Sequence, residues 1–127
     1  MAFVTIIAML ALIQYMVFGL LVGRARGQTG VQAPATTGDP VFERFFRAHY
    51  NTLEQMVVFL PALYAAGHFA NELLAVGAGA VYLIGRSLYF RTYVKDPTTR
   101  GPGMLLTFVA NVVLVIAGLV GALLQAF

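Results

Sequence analysis

Four long apolar runs alternate with short polar segments along the chain. Met1–Val22 is apolar except for Thr5 and Gln14, about the 20 residues needed to cross a hydrocarbon core of ~30 Å. Its basic residues, Arg24 and Arg26, follow the run instead of preceding it. That is the reverse of a secretory leader, so the run is expected to persist as a helix. Gly27–Pro40 reads as a loop rich in Gly, Thr and Pro, and Asp39-Pro40 opens a second helix with the proline in its first turn. This helix runs to about Gly67 through Pro61, which should kink it or require an accommodating neighbour. His68–Glu72 forms a short turn. In the third helix the small residues Ala75, Gly77, Gly79 and Gly85 permit close helix contact. Lys95–Gly103 is a second polar loop, and the last helix carries Asn111 as its notable polar residue. The pattern predicts an all-α fold: one domain over 1–127, an integral membrane four-helix bundle with helices at about 1–23, 41–67, 73–95 and 103–126.

Composition strengthens this picture. The chain has 127 residues, 60% hydrophobic and only 10% charged, against roughly 25% charged in soluble domains. Cysteine is absent, which excludes disulfides, thiolate metal sites and a protein thiol nucleophile. Any sulfur chemistry must use sulfur brought by the substrate. The net charge of +3 says less than where the charges sit. Arg24, Arg26, Arg44 and Arg47 flank the first loop, and Arg91, Lys95 and Arg100 the third, whereas the second has only His68 and Glu72. By the positive-inside rule, loops one and three are cytoplasmic and both termini lie outside. No metal-ligand spacing occurs, since His49 and His68 fall at opposite ends of one helix. Hydrolase triads, phosphate loops and nucleic-acid-binding patches find no support.

The second helix opens with a polar stripe. Arg44, Arg47, Asn51 and Glu54 recur at spacings of three, four and three, which places them on one helical face. Ionisable groups are costly in lipid and normally face a protein interior or a water-filled cavity. Helix three has its own stripe at the same end: Tyr82, Arg86, Tyr89 and Tyr93, spaced four, three and four. Arg86 lies ~13 Å and Glu54 ~18 Å from the ends of their helices, so the two are expected to pair or to share a polar ligand. Such a cluster suits a small zwitterionic peptide with two carboxylates. Arginine clamps carboxylates, glutamate accepts from an ammonium and asparagine matches a peptide bond. Tyrosine supplies an apolar wall with a hydroxyl tip. Gln14 and Asn111 are read as interhelical packing residues, and His68 as solvated.

RAHYNTLE (Arg47–Glu54), RSLYFRTY (Arg86–Tyr93) and the following Arg100 resemble the MAPEG superfamily. Its members include microsomal glutathione transferases, leukotriene C synthase and prostaglandin E synthase. The resemblance runs from Arg26 to the last helix. It implies a homotrimer in the membrane, with glutathione as co-substrate and no metal, bound between protomers near the cytoplasmic face. By position, Arg26, Arg47, His49, Asn51, Glu54, Tyr89 and Tyr93 would line the glutathione site, Arg86 would support it, and Arg100 would stabilise the thiolate. The implied activity is detoxifying transfer or peroxidase chemistry on lipophilic small molecules arriving from membrane lipid. Gly101 stands where prostaglandin E synthase has a hydroxyl side chain, which argues against isomerase chemistry. Gln55 stands where some relatives place an aromatic residue. Two other readings compete: a non-catalytic scaffold or lipid-binding protein of the same fold, and a small multidrug transporter. The transporter reading lacks the first-helix glutamate on which such proteins depend. A bacterial inner membrane is the expected location.

Overall fold

A computed structural model describes residues 1–127. Four helices follow in order: α1 (Ala2–Thr29), α2 (Pro40–Phe69), α3 (Glu72–Lys95) and α4 (Gly101–Ala126), with a 3-10 turn, Pro97–Thr99, before the last. They run up and down as one bundle. The Met1 ammonium pairs with Glu72 at 2.8 Å and the Tyr64 hydroxyl donates to Thr5, which joins the start of α1 to the end of α2 and the start of α3. Both termini and the α2–α3 turn therefore share one end, and the two longer connections share the other.

Local chemistry fixes the boundaries. The Asp39 carboxylate accepts from the Val41 and Phe42 amides at 2.8 and 3.0 Å, with Pro40 in the first turn. Asn71 caps α3 through the Leu74 amide, satisfying a donor that a helix start leaves open. The first helix is longer than its apolar run predicts, ending at Thr29 instead of near residue 23. Gly23 and Gly27 stay helical, and Gly30, at φ 79°, is the glycine that turns left-handed and stops the helix. The fourth helix begins at Gly101, two residues earlier than expected. The carboxyl of Asp96 accepts from the Thr98 hydroxyl and amide, and these bonds hold it below the usual carboxylate range. The turn it caps is formed at neutral pH and loosens as pH falls through that lowered value.

Three helices are long and apolar enough to cross a membrane: α1, α3 and α4. Of the four expected spans, α2 alone falls short of that apolarity, because its first half is diluted by Arg44, Arg47, His49, Asn51, Glu54 and Gln55. With 30 residues, about 45 Å at 1.5 Å per residue, α2 nevertheless runs the same distance beside the others.

The interior is a narrow seam. Val4, Ile7, Ala8 and Ala11 meet Phe59, Leu63 and Ala66, and Ala75, Tyr82, Ala110 and Leu114 close the far side. The Phe59 and Tyr82 rings stack at 3.6 Å. Only 29 of 127 residues are buried, while Leu20, Leu73 and Leu124 are among many large apolar side chains pointing outward. That distribution suits a lipid solvent, where close packing rather than apolar burial holds helices together. Close approach is equally tight at Gly103 and Gly121, where a Cβ would fall on the backbone of Tyr89 and of Phe69 respectively. Gly103→Ala is expected to force α3 and α4 apart and to cost about 1–3 kcal/mol, measured as a lower melting temperature in one detergent.

Candidate functional site

At the end of the bundle opposite the termini, α2, α3 and the α1–α2 loop enclose a cavity of about 320 Å³. That is near the lower bound of the ~300–1,000 Å³ typical of small-ligand sites. Its walls are Arg47, Asn51, Glu54, Tyr89 and Tyr93, all expected from the sequence, together with Thr36, Thr37, Phe46 and Tyr50, which were not. Phe46 and Tyr50 stack at 6.2 Å one position before Arg47 and Asn51, so the same helical period contained them. Thr36 and Thr37 lie in a loop, where no periodicity points to a direction.

Four expected residues do not line the cavity in this chain. His49 is turned toward α1, where its ring stacks on Tyr15 at 4.3 Å and sits against Gly19. Two residues past Arg47 on a helix is about 200° of rotation, so His49 and Arg47 face opposite ways. Arg26 donates to the Ala35 carbonyl at 2.7 Å and lies 4.6 Å over the Phe42 ring. It anchors the loop that carries Thr36 and Thr37. Arg100 opens α4 and donates to the Pro97 carbonyl at 2.9 Å. It starts the turn that leads to Gly103, packed against Tyr89.

Arg86 stands behind the cavity wall, only 1% exposed. The expected pair between Arg86 and Glu54 does not form. Instead, Nη2 of Arg86 donates to Asn51 Oδ1 at 3.0 Å and Thr52 Oγ1 at 2.8 Å, and the guanidinium lies 4.2 Å over the Tyr89 ring. Thr52 and Glu54, two residues apart, point to opposite sides of α2; the first is buried and the second exposed. The Arg86 bond has a chemical consequence. With its oxygen engaged, the Asn51 carboxamide is left to donate its N–H groups to a ligand. Arg86 has no carboxylate partner, so an unneutralised cation stands behind the two cavity-lining groups it holds.

Other polar groups join helices. Gln14 donates to the Leu83 carbonyl and to Ser87 at 2.9 and 2.8 Å, and Asn111 donates to Gln55 at 3.0 Å, both as the packing reading anticipates. Arg44 reaches the Lys95 carbonyl at the end of α3, where helix carbonyls lack internal partners. No group of three or more His, Cys, Asp or Glu side chains is placed to hold a metal.

Comparison with known proteins gives this cluster a setting. The model of the MAPEG family matches residues 4–120. The chain belongs to the MAPEG family. Among its relatives in that family is an uncharacterized protein of Synechocystis sp., 41% identical over 120 residues, covering 94% of this chain and 88% of the relative. Human microsomal glutathione S-transferase 2 is 37% identical over 115 residues, covering 91% of this chain and 78% of that protein. Bovine leukotriene C4 synthase is 42% identical over 83 residues, covering 65% and 55%. The stretch from Arg47 to Arg100 that prompted the resemblance lies wholly inside the matched region.

Proposed function

We propose that this MAPEG protein is a membrane-embedded, glutathione-dependent transferase or peroxidase. The observation that carries the reading is the convergence of Arg47, Asn51, Glu54, Tyr89 and Tyr93 on one cavity, in a chain related to a microsomal glutathione S-transferase. Each group has a counterpart on glutathione. Arg47 attracts a carboxylate, Glu54 accepts from the α-ammonium, and the Asn51 amide donates to a carbonyl or carboxylate oxygen. The tyrosine rings flank the peptide.

Arg100 is the group we assign to the sulfur. A nearby guanidinium lowers a thiol pKa from about 8.5 and stays charged throughout. The thiolate then attacks an electrophilic carbon, forming a C–S bond as the leaving group departs with the displaced electron pair. Alternatively it attacks a hydroperoxide oxygen and breaks the O–O bond; the departing alkoxide takes a proton from water to leave as an alcohol, and a second glutathione thiol displaces the hydroxyl of the resulting sulfenic acid as water to give the disulfide. Arg47, Tyr50 and Glu54 remain exposed beside the outward apolar residues Leu53 and Val57. A charged face flanked by lipid-facing side chains calls for cover, and we assign that role to neighbouring copies in a homotrimer.

Titrating the detergent-purified protein with glutathione tests the reading. Saturable heat, accompanied by ultraviolet thiolate absorbance at neutral pH, is expected. Absence of both at millimolar glutathione overturns it.

A further inference from the structure

The outward face of α3 changes character along its length. Leu73, Gly77, Ile84, Ser87, Arg91 and Lys95 are all exposed, at spacings of four, seven, three, four and four that keep them on one stripe. The stripe is apolar toward the termini and cationic at the other end, with one hydroxyl between. Tyr89 and Tyr93, which wall the cavity, each sit two residues from Arg91, about 200° around the helix. This face looks away from the candidate site, and the glutathione reading leaves it unused.

Ser87 is held against α1. Its Oγ accepts from Gln14 Nε2 at 2.8 Å, and the same nitrogen donates to the Leu83 carbonyl at 2.9 Å. That carbonyl is the acceptor a helical serine ordinarily uses, so the Ser87 proton is left for an acceptor outside the chain. Arg91 lies one turn beyond Ser87, about 6 Å. Counted from the Gln14–Ser87 bond, Lys95 is eight residues further along α3 and the exposed Arg24 ten further along α1. Both therefore end at a similar level, ~12–15 Å beyond that bond. None of the three cations has a carboxylate partner, since the one ion pair in the chain joins Met1 to Glu72 at the far end.

Uncompensated cations, a hydroxyl donor beneath them and an apolar stripe beneath that match an amphiphile read from head to tail. We propose that the α1–α3 face holds one anionic phospholipid. Its phosphodiester sits among Arg24, Arg91 and Lys95, and an ester carbonyl, which lies on the hydrocarbon side of the phosphate, accepts from Ser87. Basic residues beside an apolar span attract anionic lipid in general; Ser87 adds a fixed depth that charge alone lacks. A free phosphate would meet the cations and leave Ser87 and Ile84 without a role. A zwitterionic lipid brings its own cation to the same level and is disfavoured there. The proposal is independent of the glutathione-dependent reading.

Four probes test it on the detergent-purified protein, with bound lipids counted per subunit by native mass spectrometry. They are phosphatidylglycerol, phosphatidylcholine of identical chains, the diether analogue of the first, and glycerol 3-phosphate. Wild type is expected to bind one phosphatidylglycerol per subunit, about tenfold or more tightly than phosphatidylcholine. It should prefer the ester to the diether lipid by about fivefold, the value of one hydrogen bond. Joint Arg91→Gln and Lys95→Gln substitution is expected to cut the first preference to about twofold. Ser87→Ala should erase the second and leave the first. Equal affinity of wild type for phosphatidylglycerol and phosphatidylcholine overturns the proposal whether or not any variant folds. So does a headgroup preference that survives the double substitution, or an ester preference unchanged in Ser87→Ala. Displacement of the lipid by glycerol 3-phosphate at equal concentration also overturns it, by making the cations a site for free phosphate. Because glutathione is absent, this result and the glutathione titration fail independently.

Discussion

Arg100→Ala is expected to bind glutathione within a few-fold of wild type, yet give no thiolate absorbance at neutral pH. Turnover should fall by about 100-fold or more, the scale for removing one preorganised charge from a developing anion. The expectation follows from position. Arg100 stands outside the cavity wall formed by Arg47, Asn51 and Glu54, so its loss removes no wall contact. It heads the helix whose Gly103 packs on Tyr89. Glu54→Ala supplies the contrast, since it should abolish the binding heat itself. Thiolate formation in Arg100→Ala equal to wild type would remove Arg100 from the chemistry and leave it as an interfacial cation. Raising the pH should restore turnover in the variant as glutathione ionises unaided, whereas Glu54→Ala should show no such recovery.

The second large effect is expected at Arg86. Its replacement by Ala empties a fully buried volume and leaves Asn51 Oδ1 without its donor, while Thr52 retains its bond to the Ala48 carbonyl. A loss of about 3 kcal/mol is expected from the combined cavity and hydrogen-bond terms. Binding should suffer separately. Without Arg86 the Asn51 amide is free to turn its oxygen toward the ligand, and glutathione affinity should fall by about tenfold or more. Arg86→Lys distinguishes the two effects. A lysine can still donate to Asn51 but lacks the planar face over Tyr89, so it should recover most of the binding and only part of the melting temperature. Calorimetry and thermal unfolding of both variants in the same detergent check this. Full affinity in Arg86→Ala would show that Asn51 needs no external orientation.

Three of the helices were legible because their apolar runs are far longer than a soluble helix requires, and α2 because Asp39-Pro40 opens it and its polar stripe keeps helical spacing. Their ends were less so. Three glycines follow one another at the end of α1, at positions 23, 27 and 30, and which of them turns left-handed depends on where the chain must go to meet Asp39. The cavity wall from α2 followed from period alone, since Arg47, Asn51 and Glu54 share a face. Period is too coarse for their neighbours. His49 sits within the same motif yet faces α1, and Arg86 keeps its place on the α3 stripe while aiming at Asn51 and Thr52 instead of Glu54. Thr36 and Thr37 reach the cavity beside Ala35, whose carbonyl Arg26 holds across nine residues, a contact that no helical period announces.

Because only 29 of 127 residues are buried within the chain, most of its apolar surface takes its energy from whatever medium touches it. Heat resistance is accordingly shared between polypeptide and surroundings. The same molecule should melt at different temperatures in micelles of different chain length, and the ranking of outward-facing variants should change from one micelle to another. Substitutions in the Phe59–Tyr82 seam should keep their order across all of them.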